Sequence, residues 1–278
     1  MTTKKTGNSK RDSLSIAITG ANGRMGQALI SEALDTLDSI QLAGAVHRSK
    51  SDCIGRDLGL HVGRNSIGVA ISDDITQLPF EVLIDFSLPE PSLNYLASCV
   101  ELARPIVIGT TGFNEDQLEA IRSASSIIPI VLAANMSVGV TLCFHLLSQM
   151  ARVMGDDADI EIIETHHRNK VDAPSGTALK MGEIIAGELG RDLAATAVHG
   201  RHDVGVKRSR DEIGFSSVRA GDVVGDHTVL FATHGERIEL THKASSRATF
   251  AKGAMRAALW LKHQPPGLYD MQDVLNLR

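Results

Sequence analysis

The sequence is poor in cysteine, and the few cysteines lie far apart. Cys53, Cys99 and Cys143 are the three among 278 residues, and each has aliphatic neighbours. This distribution is typical of buried thiols in a reducing compartment, because disulfide frameworks and metal clusters need cysteines that meet in space. The sequence therefore predicts a cytoplasmic protein.

An excess of positive charge is also absent. The chain has 28 Lys and Arg against 33 Asp and Glu, a formal net charge of −5. Because non-specific binding to nucleic acid or anionic lipid depends on a basic surface, we expect no nucleic-acid and no membrane partner. The 43% of hydrophobic residues supply a core for one large domain or two ordinary ones.

We expect no secretory signal, and one uncharged stretch needs interpretation. The basic residues of Met1–Ser13 are not followed by the apolar h-region of a signal peptide, and we expect a disordered tail over residues 1–14. Ile127–Leu147 has no Asp, Glu, Lys or Arg over nearly the length of a membrane span, but Pro129 and Asn135 interrupt it. We interpret this stretch as a buried strand, a turn and a buried helix.

The first half alternates short apolar runs with helical patterns. The apolar runs are LSIAIT, IQLAGAV, EVLIDFS, RPIVIGTTG and IIPIVLAA. Helical patterns such as Arg24–Leu37 and Asn114–Ser123 lie between them, the second with an asparagine N-cap. This alternation predicts an α/β fold with a Rossmann-like, doubly wound parallel sheet, which binds ligands at the carboxyl ends of its strands.

After Asn135 the pattern changes. Helices are predicted over Val140–Met154 and Thr177–Leu189, with a strand over Asp159–Thr165 between them. The segments IGFSSVRAG, HTVLFATHG and RIELTHKA predict antiparallel strands of a second, mixed or antiparallel sheet. The apolar spacing over Ser245–Lys262 fits one buried face of a helix.

We therefore predict two domains. A dinucleotide-binding domain comprises residues 15–137 and 246–278. A substrate-binding and oligomerisation domain of the α+β class comprises residues 138–245.

A glycine-rich turn, GANGRMG, follows the first strand. In such a turn the first glycine allows a tight bend, the second lets backbone N–H groups approach a pyrophosphate, and the third lets the helix pack closely on the strand. The spacing is GxxGxxG rather than GxGxxG, and a tight turn without a ligand is the alternative. The residues predicted to contact the dinucleotide are Gly20, Ala21, Asn22, Gly23, Arg24 and Met25.

His47 and Arg48 follow the second run, where an NAD-binding domain carries an acidic residue for the ribose hydroxyls. A guanidinium instead forms charge-assisted bonds with a 2′-phosphate, which favours NADPH over NADH. Alternatively Arg48 is a solvated loop cation and Asp52 reaches the ribose, so NADH stays possible.

The segment HHRNKVDAPSGTA follows the strand DIEIIET. His166, His167 and Lys170 bring together imidazoles that titrate near neutral pH and an ammonium group. Ser175 is a suitable N-cap, which leaves the next backbone N–H groups at a helix start where an anion is stabilised. A solvated basic turn is the alternative; no metal is expected, because no zinc-site spacing accompanies the histidines.

The sequence resembles the dihydrodipicolinate reductase family over Ser15–Leu277. The resemblance rests on GANGRMG, DFSLPE, VIGTTGF, AANMSVGV, EIIETHHRNKVDAPSGTA, GFSSVRAGD and THKASSRATFAKGA, in family order. It implies NAD(P)H-dependent reduction of 4-hydroxy-tetrahydrodipicolinate, a small cyclic dicarboxylate, to tetrahydrodipicolinate in the diaminopimelate route to lysine. It also implies a homotetramer.

The resemblance further implies residue roles. His166 would donate a proton with Lys170 as its partner, and substrate would be bound by His167, Gly176, Thr177 and Arg247. Two further loops would contact the cofactor, through Gly109, Thr110, Thr111, Ala133, Ala134, Asn135 and Met136. The chain departs from the family at His47, where good NADH users tend to carry an acidic residue, and at Met136, where an aromatic is common.

Two other functions remain open. Another two-domain oxidoreductase, such as an amino-acid dehydrogenase, would share the architecture but has no reason to carry HHRNKVDAPSGTA. A regulator that senses NADPH without turnover has no need of a proton donor. We therefore favour the reductase.

Overall fold

The structure, a computed structural model, describes residues 13–36, 38–202, 205 and 207–278. Most of the predicted N-terminal tail lies outside the described residues. Leu14, which we included in that tail, instead begins the first strand: its side chain is buried and its N–H donates to the carbonyl of Ser39.

Strands and helices alternate along most of the chain. The strands are Leu14–Thr19 (β1), Ile40–Val46 (β2), Ile71–Ser72 (β3), Val82–Asp85 (β4), Ile106–Ile108 (β5), Pro129–Leu132 (β6), Asp159–His166 (β7), Ala197–His199 (β8), Ile213–Arg219 (β9), Gly225–Ala232 (β10), Arg237–Ala244 (β11) and Gly267–Tyr269 (β12). The α-helices are Arg24–Asp35 (α1), Leu58–His61 (α2), Pro89–Glu101 (α3), Glu115–Ala124 (α4), Val138–Met154 (α5), Gly176–Glu188 (α6), Leu193–Thr196 (α7), Ala248–Leu261 (α8) and Met271–Leu275 (α9).

The chain divides into two compact units. Unit 1 runs to Met136 and resumes over Phe250–Leu275, and unit 2 comprises Ser137–Thr249 and Asn276–Arg278. We placed the two boundaries after residues 137 and 245 and assigned the last three residues to the first domain. In the structure the boundaries fall after residues 136 and 249, and the last three residues group with unit 2.

Unit 1 is built on one parallel sheet with the strand order β12-β6-β5-β4-β1-β2-β3. The five predicted apolar runs supply β1, β2, β4, β5 and β6, which confirms the doubly wound class. Asn114 is the N-cap of α4, as predicted. It forms a reciprocal capping box with Gln117. Because all the strands point the same way, the loops after β1, β2, β5 and β6 share one edge of the sheet.

Unit 2 contains a mixed sheet in the order β11-β10-β7-β9-β8. Strand β10 is antiparallel to β7 and β11, as expected, but β9 runs parallel to β7 and to β8. The prediction that IGFSSVRAG is an antiparallel strand is therefore wrong. Between β7 and β9 the chain crosses over through α6, the kind of connection that parallel neighbours require.

Helices α5 and α6 cover one face of this sheet. Leu147 and Met181 from the helices pack with Ile160, Phe215 and Phe231 from the strands in one buried cluster. The inward face of β7 continues from Ile160 and Ile162 to Glu164 and His166, so two polar side chains end a buried row.

Of the helices in the described part of the chain, none has the length and apolar character needed to span a membrane. Ile127–Leu147 forms β6, a turn and most of α5, as predicted.

Candidate active site

The glycine-rich turn of unit 1 is shaped by steric limits. Gly20 has a φ of +67°, and a Cβ on Gly26 would overlap the carbonyl oxygen of Gly20. Gly23 is the N-cap of α1, yet no described side chain caps this end and no acidic residue lies in the first turn. The first N–H groups and the positive end of the helix dipole are thus left for an anion, which fits a dinucleotide pyrophosphate.

A buried carboxylate connects three strand ends in unit 1. Asp85 ends β4 with no exposed surface, and it accepts hydrogen bonds from the hydroxyls of Thr19 (2.5 Å), Ser87 (2.7 Å) and Thr110 (2.7 Å). The loops after β1, β4 and β5 are therefore tied together. Sequence reasoning quoted the segment DFSLPE but gave Asp85 no role; an acidic residue that ends an apolar run was the available signal.

The remaining predicted cofactor residues also lie where strands of the parallel sheet end. Gly109 and Ala133 follow β5 and β6, and their N–H groups donate to backbone carbonyls of neighbouring strands. Thr111 and Ala134 are exposed, whereas the side chain of Met136 is buried.

At the end of β2, His47 is partly buried and Arg48 is exposed. Burial and the nearby charges of Arg48 and His61 lower the pKa of His47, so basic groups are gathered here.

In unit 2, Glu164 and His166 form a buried pair with Arg219. Glu164 accepts a 2.6 Å hydrogen bond from Nδ1 of His166 and two 2.8 Å bonds from the guanidinium of Arg219. Arg219 also donates to the backbone carbonyl of Asp172. Burial raises the pKa of Glu164, but the bonds from Arg219 and His166 prevail and hold it at about 2. The carboxylate is therefore ionised throughout the neutral range.

The start of α6 belongs to the same cluster. Ser175 caps the helix by accepting from the N–H of Ala178, as predicted, and its hydroxyl lies 2.9 Å from Nε2 of His227. The ring of His227 meets that of His166 edge-on, with centroids 5.1 Å apart. The pKa of His227 is lowered to about 4. Burial is the largest cause, the charge of His166 comes next, and the charge of Lys170 has a smaller effect. Sequence reasoning missed Glu164, Arg219 and His227.

The other predicted substrate residues differ in how they are connected to this cluster. The ammonium of Lys170 forms a 2.8 Å ion pair with Asp172, and the N–H of Lys170 donates to the carbonyl of His167. Gly176 and Thr177 open α6. Arg247 lies between β11 and α8, and no described hydrogen bond joins it to the cluster. Among the described residues, no group of His, Cys, Asp and Glu is arranged to hold a metal ion.

The low pKa of His227 predicts acid sensitivity. Because the folded state favours the neutral imidazole, its contribution to stability is complete above pH 6.5 and is lost as the pH falls toward 4. We expect the free energy of unfolding to fall by about 2 kcal/mol more between pH 7 and pH 5 in the wild type than in His227→Gln. Calorimetric unfolding at both pH values measures this, with the exposed His234→Gln as control; equal pH dependence in all three proteins would refute it.

These features define a class of protein. A parallel sheet with an uncapped glycine-rich turn, together with a second sheet whose histidine–carboxylate pair is followed in the chain by a lysine and a helix start, is typical of a two-domain nicotinamide-dependent oxidoreductase. The chain belongs to the dihydrodipicolinate reductase family: the model of the family's N-terminal part matches residues 14–136, and that of its C-terminal part matches residues 139–275. It is an oxidoreductase that uses NAD(P)H and acts in lysine and diaminopimelate biosynthesis.

Solved structures agree with this membership. A dipicolinate-bound dihydrodipicolinate reductase from Paenisporosarcina sp. TG-14 is 25% identical with a TM-score of 0.75, over 94% of this chain and 98% of that chain. An amine dehydrogenase from Mycobacterium smegmatis (13% identity, TM-score 0.56, 94% and 96% coverage) shares the fold. So does a probable dehydrogenase from Thermotoga maritima (10% identity, TM-score 0.59, 95% and 93% coverage).

Proposed function

We propose that this enzyme reduces 4-hydroxy-tetrahydrodipicolinate with His166 as general acid and Lys170 as the cation that binds the substrate beside it. The observation that carries the proposal is the buried Glu164–His166 pair, which stands at the carboxyl end of β7 and is hydrogen-bonded to the start of α6. An imidazole held by an ionised carboxylate beside a helix N-terminus is suited to deliver a proton to a bound anion.

The reduction needs a hydride, a proton and cations for the substrate carboxylates, and different groups supply them. Loss of the 4-hydroxyl group of the substrate as water gives a conjugated imine. Bound NAD(P)H would supply a hydride to this imine, which leaves negative charge toward the ring nitrogen. His166 donates the proton that neutralises this charge. Lys170 and the backbone N–H groups of Gly176 and Thr177 neutralise the carboxylates, and His167 and Arg247 complete the substrate contacts.

The substrate class follows from the positive character of this region. α6 is 13 residues long and has no acidic residue in its first turn, so its N-terminus favours a carboxylate. The Paenisporosarcina relative binds dipicolinate, a planar ring with two carboxylates. We assign the same class of ligand, a cyclic dicarboxylate, to this chain.

We also assign NADPH as the preferred cofactor, because the end of β2 presents basic side chains and no carboxylate at His47 and Arg48. The residues for its other contacts are those at the ends of β1, β5 and β6. NADH remains a possible second substrate.

Replacing Arg48 tests this preference. Because an exposed guanidinium contributes one charge-assisted contact to the 2′-phosphate, Arg48→Gln is expected to lower kcat/KM for NADPH about tenfold and to leave kcat/KM for NADH unchanged. Lys50→Gln, which removes a nearby exposed charge, is the control. A parallel loss with both cofactors would contradict a contact with the 2′-phosphate.

The reaction itself is tested in a coupled assay. The unstable substrate is generated from pyruvate and aspartate semialdehyde by its synthase, and oxidation of NADPH and of NADH is followed separately at 340 nm, the ordinary nicotinamide absorbance. Oxidation that depends on the synthase is expected. Cofactor binding without oxidation would instead support a nucleotide sensor.

We further propose a homotetramer that assembles through the sheet of unit 2. The sheet face opposite α5 and α6 carries Ile163 and Val218, which are 40% and 44% exposed, and none of the helices described in unit 2 packs on this face. Sedimentation velocity measures the assembly state.

We assign the enzyme to the cytoplasm, because its three cysteines are buried free thiols.

A further inference from the structure

We propose that Glu164 is a positioning residue of the reaction: it fixes the imidazole of His166 so that Nε2 is the atom that donates the proton. The inference rests on the proposed function, in which His166 is the general acid. It adds a residue to which neither the family match nor the sequence assigned a role.

The geometry fixes which ring nitrogen is engaged. Nδ1 of His166 lies 2.6 Å from the carboxylate of Glu164, whereas Nε2 has no hydrogen-bond partner among the described residues. Because Glu164 is ionised, it is only an acceptor, so Nδ1 carries a proton in the neutral ring as well as in the charged one. The exchangeable proton of the acid is therefore on Nε2.

Glu164 is itself held rigidly. Its side chain is 1% exposed, and both carboxylate oxygens accept from the guanidinium of Arg219, a bidentate arrangement that fixes the carboxylate plane. The ring of His166 packs over Gly225, where a Cβ would come within 3.0 Å of Nε2. Carboxylate and backbone thus define the orientation of the imidazole from two sides.

The same carboxylate also organises the anion-binding elements. It accepts from the backbone N–H of Ser175 at 3.3 Å, at the start of α6, and its partner Arg219 donates to the backbone of Asp172. The buried carboxylate of Glu164, directly and through Arg219, therefore fixes the relative positions of the proton donor, the loop of Lys170 and the start of α6. A purely structural ion pair between Glu164 and Arg219 is the competing explanation, and it predicts a loss of stability without a defect in turnover.

The first measurement needs no Glu164 variant. In ¹⁵N-histidine-labelled wild-type enzyme, assigned by comparison with His166→Gln, we expect neutral His166 to carry its proton on Nδ1. A neutral ring protonated on Nε2 would overturn the proposal even if no Glu164 variant folds.

The second measurement compares two Glu→Gln variants on the same strand. Glu164→Gln is expected to lower kcat about 10- to 100-fold, with an unchanged Kd for NADPH, because the ring loses its fixed tautomer and orientation. Glu161→Gln is the matched control: it also breaks an ion pair with an arginine, Arg208, but on the other face of β7. A folded Glu164→Gln variant with the kcat of the wild type would overturn the proposal.

A double variant separates positioning from stability. If Glu164 acts on turnover through His166, adding Glu164→Gln to His166→Gln should not lower kcat further. Independent, multiplicative losses would contradict the proposal. If His166→Gln alone keeps normal turnover, the proposed function fails; if it is inactive while Glu164→Gln turns over normally, only the role of Glu164 is wrong.

Discussion

Replacement of His166 by Gln is expected to lower kcat about 100- to 10,000-fold, the usual contribution of a well-placed general acid. Glutamine keeps a polar side chain of similar reach, but it has no proton to give at neutral pH. The substrate anion formed by hydride addition would then take its proton from water. The Kd for NADPH should not change, because the predicted cofactor residues are in unit 1. Steady-state kinetics and calorimetric titration with NADPH measure the two quantities.

The control for His166 is another histidine of unit 2. His234 lies exposed in the turn between β10 and β11, so His234→Gln should keep the kcat of the wild type. A His166→Gln enzyme with near-normal turnover would remove His166 from the acid role. Lost turnover with an equally weakened Kd for NADPH would indicate damage beyond the missing proton.

Replacement of Lys170 by Gln is expected to lower kcat/KM about 100-fold or more, because a carboxylate of the enclosed substrate loses its cation. In the free protein Lys170 is paired with Asp172 at 2.8 Å, and a hydrogen bond from Lys170 lowers the pKa of Asp172. Asp172 is 55% exposed, however, and an ion pair with such a partner contributes about 1 kcal/mol or less. A substrate carboxylate in a less solvated site can therefore replace Asp172 as the partner of the Lys170 ammonium.

Two further variants check the role of Lys170. Lys180 on α6 forms an exposed ion pair with Glu183, so Lys180→Gln should leave kcat/KM unchanged. Asp172→Asn removes the competitor for the ammonium and should leave KM unchanged or lower it. Initial rates over a range of substrate concentrations give these values. A Lys170→Gln enzyme with the KM and kcat of the wild type would show that the ammonium does not bind substrate.

Much of the fold could be predicted because its signals are local. The five apolar runs of unit 1 are bounded by turns and helical patterns, and the Asn114 cap marks the start of α4. The strands β3 and β12, of two and three residues, lie outside the five apolar runs, and neither is long enough to show a periodic pattern of its own. The direction of β9 could not be predicted either, because the choice of β7 as its parallel neighbour depends on a connection through α6 rather than on the residues of β9.

The residues of the candidate site show the same difference between local signals and long-range contacts. Residues of continuous motifs, such as the glycine-rich turn and the segment after β7, were singled out from the sequence. Glu164 was detectable in principle, since alternation along β7 places it on the inward face with Ile160 and Ile162. Its pairing with Arg219 was not, because 55 residues separate the two in the chain and only the β7–β9 register brings them together.

The interruption of unit 1 by unit 2 has a consequence for synthesis on the ribosome. Unit 1 is finished only by Phe250–Leu275, which supplies β12 as the neighbour of β6 and most of α8, where Gly253 has no room for a side chain against the carbonyl of Met136. Nearly all of unit 2 is translated before that segment emerges. The inner unit can therefore fold while the outer one is still incomplete, and the edge of β6 that β12 will cover stays unpaired, and so open to mispairing, until that segment has been translated.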